Sequence, residues 1–348
     1  MLDNMSGYDR KAWDTIVQWR ARRLNSAQRH VLPKAARDRL RVAGAEVQQR
    51  LGQLPGAEVL QQTMRKSVDG VLGTVNRAAV ASVRQKAVLA AFAKRGHEVE
   101  QLSDISALEL RTIDQIKPRL DLRYTLASGM EGAGAGLAVA GGEIIATGSS
   151  VASAGAAAAP SALAIAGILA ADVVAVLVAA TRAVGHTAAY YGYDTELADE
   201  RLYALGVLNF GLSDQAGKSA AYLELNKIVQ ALARNATWHQ LDKNAVTRVV
   251  KMVYSAMGEK ITKKKLGQAL PVIGIVIGAG LNMRTLAAIT SDADHLYRER
   301  FLREKYGPAD ESASVTASSP APEQMIAVSD IISTAIESTP HGPEKVAE

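Results

Sequence analysis

Residues Pro160–Ala180, PSALAIAGILAADVVAVLVAA, carry one charge, Asp172, and run on towards Tyr-Gly-Tyr-Asp at 191–194. They form the second half of an Ala/Gly-rich apolar stretch, 129–193. A shorter companion, LPVIGIVIGAGL, spans Leu270–Leu281. Small residues recur four apart, at Gly132/Gly136 and Gly274/Gly278, a spacing that lines one helix face and lets a second backbone approach closely. The expected fold is therefore all-α: a multi-helix domain with two apolar segments, about 129–181 and 270–289, packed at its centre. Pro160–Ala180 reaches the ~20 residues that a bilayer core demands. Its apolar content is largely Ala, however, and a central Asp costs roughly 2.5–3.5 kcal/mol on insertion, against about −0.5 kcal/mol for each Leu. The span is borderline. The companion is too short to cross and suits a buried or re-entrant helix.

The rest of the 348 residues supports helices. Apolar residues make up 48% and aromatics only 5%, too few for a β-sandwich rich in Val, Tyr and Phe. The absence of Cys excludes disulfides, thiol catalysis and thiolate metal sites. The first residues lack the apolar core of a signal peptide, so no classical secretion is expected. Charge is uneven. Arg10–Arg50 holds eleven Lys/Arg against three Asp/Glu, whereas Gly307–Glu348 holds seven acidic residues and one Lys.

Working outward, residues 1–56 read as a basic helical arm. Trp13, Trp19, Arg20, Arg22 and Arg23 suit an anionic membrane surface, where rings sit at headgroup level and Arg meets phosphate. The same pattern equally describes a helix that packs its Trp side on the body. No motif accompanies the charge that would point to specific nucleic-acid binding. Leu54-Pro55-Gly56 breaks the chain, and 57–95 resumes a helical period that ends at Arg95-Gly96-His97. Ser103-Asp104 offers a cap for a helix closed by Pro118. Helical patterns follow over 196–235 and 237–266, the latter ending in the basic knot Lys263, Lys264, Lys265, which suits a cytoplasmic membrane boundary in contact with anionic lipid and equally a solvated helix end. A last helix runs from Arg284 to Gly307, and 307–348 is an acidic disordered tail with a short amphipathic patch. The domain proper is placed at 57–306.

Chemistry is hard to find. Gly211–Ser219, GLSDQAGKS, comes near a phosphate-binding loop, yet five residues separate its glycines where the cradle needs four, so a helix boundary is expected. Glu131, Glu143 and Asp172 stand in apolar company, where a carboxylate must be paired, hydrogen-bonded or protonated. With Arg182 and His186 nearby, Glu143, Asp172 and His186 are the candidate acid–base group; the alternative is that they cap helices or lock the bundle. GxSxG and HExxH are absent, and no cofactor or metal is expected.

These residues resemble the EcsC family of bacterial proteins over roughly 57–306. The resemblance rests on Asp172 in its apolar segment, on Tyr191-Gly192-Tyr193-Asp194, and on Arg201. It rests also on Leu270-Pro271, Gly274, Gly278 and Asn282, and on Tyr297-Arg298-Glu299-Arg300-Phe301. Family members often carry Pro close behind the acidic residue; here Val173-Val174 follows Asp172. The resemblance implies an α-helical protein, named for a gene found beside an ABC transporter, with no settled activity. The expected function is a non-enzymatic protein associated peripherally with the inner face of the cell membrane. Its partners would be anionic lipid and, beyond it, a membrane protein complex. A soluble hydrolase using the buried carboxylates and a carrier of lipid or another hydrophobic ligand are the alternatives.

Overall fold

Every element among the described residues is a helix. The computed structural model describes residues 4–24, 83, 85–124, 162–213, 217–234, 253, 257 and 275–307, with the backbone but not the side chains of 162–174, 230–234 and 275–283. In chain order the helices are α1 (Gly7–Leu24), α2 (Gln85–Ala93), a 3-10 helix (Leu102–Ala107), α3 (Leu110–Ile116), α4 (Ala162–Tyr190), α5 (Ala198–Leu212), α6 (Lys218–Arg234) and α7 (Ile275–Tyr306).

The two apolar segments both supply helix, and α4 against α7 is the most extensive pairing in the fold. The Ile275–Leu281 part of the companion segment and the last helix are one uninterrupted element, since nothing between Leu281 and Arg284 breaks an α-helical run. The 129–161 part of the first segment, Lys263–Lys265, Pro271, Gly274 and the tail beyond Gly307 lie outside the described residues.

Helix ends follow local chemistry. Gly192 adopts φ +92°, and the Gly192 and Tyr193 amides return to the Ala189 and Ala188 carbonyls, closing α4 in a Schellman motif. Gly96 (φ +84°) closes the turn after α2 in the same way, as Arg95-Gly96-His97 predicts. The helix expected from Ser103 to Pro118 is two elements. The Asp104 carboxylate accepts the Glu100 and Gln101 amides and tightens 102–107 into a 3-10 turn; α3 begins afresh at Leu110. Likewise 196–235 divides at Ser213, whose N–H and hydroxyl return to the end of α5.

α7 gives the bundle its direction. Against it, α1 runs antiparallel: Asp9 meets Tyr306, Arg20 meets Glu299, and Arg23 meets Asp292. α3 does the same, from Leu108–Lys305 through Asp114–Arg298 to Lys117–Asp294. So does α5, from Glu200–Arg300 through Tyr203–Leu296 to Gly211 against Ile289. α6 ascends with α7, Lys218 at Asp292 and Tyr222 at Glu299. α4, joined to α5 by a short turn, also shares the direction of α7.

The core is the shared interior of these helices. Leu177, Leu202, Phe210, Ile289, Tyr297 and Phe301 are buried in it, each contributing roughly 1.5–3 kcal/mol by removal from water. Trp13 and Trp19 belong to it too, at 2% and 8% exposure. Trp19 stacks on His295 at 4.6 Å, and Arg303 lies over Trp13. α1 therefore packs its Trp side on the body, and in this docked position neither ring is available to lipid.

Candidate functional site

Three charged side chains of the family-like motifs, Arg298, Glu299 and Arg300, meet their partners along the second half of α7. Three groups can be separated by their partners. In the first, Arg300 grips Glu200 through two parallel bonds of 2.6 Å, Nε of the same guanidinium binds Glu304, and the Tyr193 hydroxyl donates to Glu304. The guanidinium also lies 4.2 Å and 4.5 Å from the Tyr193 and Tyr203 ring centres. A planar fork on a carboxylate between aromatic faces is an arrangement that Lys cannot reproduce.

In the second group, Lys117 and the Tyr191 hydroxyl both donate to Asp294, and Lys117 also donates to that hydroxyl. Burial alone would raise the Asp294 carboxyl, but Lys117, Arg298 and these donors outweigh it and hold it below the usual carboxylate range. Beside it Arg298 pairs with Asp114, which also accepts the Tyr8 hydroxyl. In the third, Glu299 takes Arg20, Tyr222 and Arg303, while Asp292 takes Arg23 and Lys218.

The remaining motif residues shape turns. Asp194 accepts Gln85 Nε2 and the Glu196 amide, both at 2.8 Å. Arg201 donates to the Thr195 and Glu196 carbonyls. At Gly192 an added Cβ would stand 3.0 Å from the Leu102 carbonyl oxygen and 3.1 Å from the Ser106 amide, so glycine there admits the 3-10 helix as well as the turn. Lys218, from the loop-like GLSDQAGKS, is 2% exposed and donates to the Phe210 and Gly211 carbonyls and to Asp292. It completes the C-terminus of α5, where a cation satisfies open carbonyls and the helix dipole. The helix boundary expected there is what the chain forms.

Of the candidate acid–base group, only His186 has a described side chain. Glu143 lies outside the described residues; Asp172 sits on α4, and Asn282 and Gly278 on α7, where only the backbone is described. His186 Nδ1 lies 3.3 Å from the Tyr124 hydroxyl, which Arg182 also reaches, and its ring packs on Tyr190 at 5.4 Å. Burial, with Arg182 and Arg123 adding to it, pushes the imidazole down to about 4, so it is neutral near pH 7. Burial pushes Tyr124 up to about 12. Among the described residues no group of three or more His, Asp or Glu could hold a metal.

Lys117, Asp114, Asp294 and Glu200 escape a reading of the sequence. Within the three groups only the i, i+3 pair Asp114–Lys117 and the i, i+4 pairs Glu299–Arg303 and Arg300–Glu304 leave a signal there; the other contacts join residues 74–279 positions apart.

Residues 143–302 match the model of the EcsC protein family. The chain is 27% identical over 252 residues to the uncharacterized protein YdbA of Bacillus subtilis (strain 168), covering 71% of this chain and 80% of YdbA. It is 27% identical over 117 residues to Protein EcsC of the same organism, covering 34% of this chain and 44% of EcsC. No solved structure matches.

Proposed function

We propose, from the match of residues 143–302 to the EcsC family, that the chain is a non-enzymatic helical protein that works at the inner face of the cell membrane, accessory to a transporter or another envelope process. One observation carries the reading. The charged motif side chains on α7 close on partners from other helices, as in Arg300–Glu200, Arg298–Asp114 and Glu299–Arg20. Groups engaged in this way hold helices in register and are not poised for proton transfer to a substrate. Apart from Arg20 and Arg23, which are paired within the body, the basic charge of Arg10–Arg50 and the apolar segments supply the attraction to an anionic bilayer.

Among the described residues no helix is long and apolar enough to cross a membrane, so peripheral or partly inserted binding is the form proposed. Fractionation of cells expressing the chain tests it, with successive washes in high salt, alkaline carbonate and detergent. Sedimentation with membranes and release by salt or carbonate is the expected result. Recovery wholly in the cytosol at low salt would sink the proposal.

A further inference from the structure

The topology sorts charge between the two ends of the bundle. α4 and α7 run in the same direction, so their N-terminal parts, 162–174 and 275–283, lie at one end. Those nine residues of α7 contain no charge, and 162–174 contains only Asp172. The antiparallel elements run towards the same end, α1 reaching Asp292 and α3 reaching Asp294. α1 descends α7 from Tyr306 to Asp292 and brings Arg22, exposed in its last turn. The chain after α3 descends past Asp294 and brings Arg119, Leu122 and Arg123, all exposed; the Arg119 side chain is 82% accessible. α4 adds Arg182, against Tyr124, and α7 adds exposed Arg284 immediately after its apolar turns. Asp121, paired with Arg119 at 4.0 Å, is the opposing charge among these. The other end is mixed: exposed Glu98, Glu100, Glu109, Glu196 and Glu304 stand with exposed Arg10, Lys11, Lys86, Lys94, Arg95, Arg111 and Lys305.

Arginines from four separate stretches thus surround the place where two apolar helices continue, with Tyr124 and the 48%-exposed Leu122 between them. A bilayer interface asks for this combination: cations at the phosphate level, an amphipathic ring beside them and apolar helix beyond. Resting on the membrane reading above, we infer that the bundle docks end-on to an anionic bilayer. The N-terminal parts of α4 and α7 face the acyl chains, Arg119, Arg123, Arg182 and Arg284 lie at the headgroups, and the 190–200 turn points away from the membrane. Lipid phosphate is the ligand class that the arginines take.

The absence of Cys makes the test direct. Single variants Ala166→Cys, Ala279→Cys and Lys94→Cys are labelled with an environment-sensitive fluorophore and mixed with vesicles of phosphatidylglycerol and phosphatidylethanolamine carrying brominated acyl chains. Circular dichroism checks that each remains helical. The wild-type chain should float with these vesicles and not with phosphatidylcholine alone. Labels at 166 and 279 should be quenched severalfold, and the label at 94 should not. The unlabelled Arg119→Glu/Arg123→Glu variant, altered only at exposed positions, should lose at least tenfold in partitioning. Quenching at 94 but not at 166 or 279, or unchanged partitioning of the double variant, would overturn the orientation while leaving membrane association standing. Failure of the wild-type chain to float would remove both.

Discussion

The two halves of α7 belong to one helix and behave as different materials. Ile275–Leu281 has no ionisable side chain, while eight of the fourteen residues Asp292–Lys305 are Asp, Glu, Lys or Arg. The second half is fixed by partners from α1, α3, α5 and α6, so its environment is settled inside the chain. The seven residues Ile275–Leu281 carry no charge to pair, and the first charge of the helix is Arg284. A helix built this way has one end held by partners within the chain and another whose environment can be supplied from outside.

Breaking the rigid end should have the largest effect. Arg300→Ala leaves the Glu200 carboxylate without its fork, and a loss of about 3–5 kcal/mol is expected in urea unfolding. Replacing the pair together, Arg300→Met with Glu200→Leu, should recover most of it, because no buried charge is then stranded. Equal losses in both variants would mean that the fork is not what holds α5 to α7. Gly192→Ala combines a positive φ with close approach to the 3-10 helix and should cost about 2–3 kcal/mol; a neutral result would remove the tight junction at 192.

His186, on α4 beside Tyr124, gives a pH signature. Its folded pKa is depressed, so the unfolded chain binds the proton more readily. Stability is intact above the unfolded value near 6.5 and declines as pH falls towards about 4. Allowing for partial exposure, the loss is on the order of 2 kcal/mol. His186→Gln should flatten that slope in denaturation curves taken across the window; an unchanged slope would assign it to other groups. The smallest change, Tyr191→Phe, removes one hydroxyl from the Asp294–Lys117 group and should cost about 1 kcal/mol. A double-mutant cycle with Lys117→Met should show coupling, and simple additivity would separate the two side chains energetically.

The helical class, the stops at Gly96 and Gly307 and the boundary within GLSDQAGKS were legible because each depends on chemistry local to a few residues. The fusion at Leu281–Arg284 was obscured because a change from apolar to polar sequence looks like a helix end when it is only a change of environment. Trp13 and Trp19 could be read as interfacial or as core, since amphipathicity marks an apolar face without naming what covers it; Phe210 and His295 cover Trp19. The network on α7 was hardest to anticipate. Asp114 and Arg298, or Glu200 and Arg300, become neighbours only through the antiparallel course of α3 and α5, which single-sequence periodicity does not encode.

Amide hydrogen exchange of the chain with and without anionic vesicles tests the contrast within α7 most directly. Protection should rise over 162–174 and 275–283 on vesicle binding and stay level over 292–306. A rise confined to 292–306, or unchanged exchange throughout a vesicle-bound chain, would contradict an apolar end that meets the bilayer.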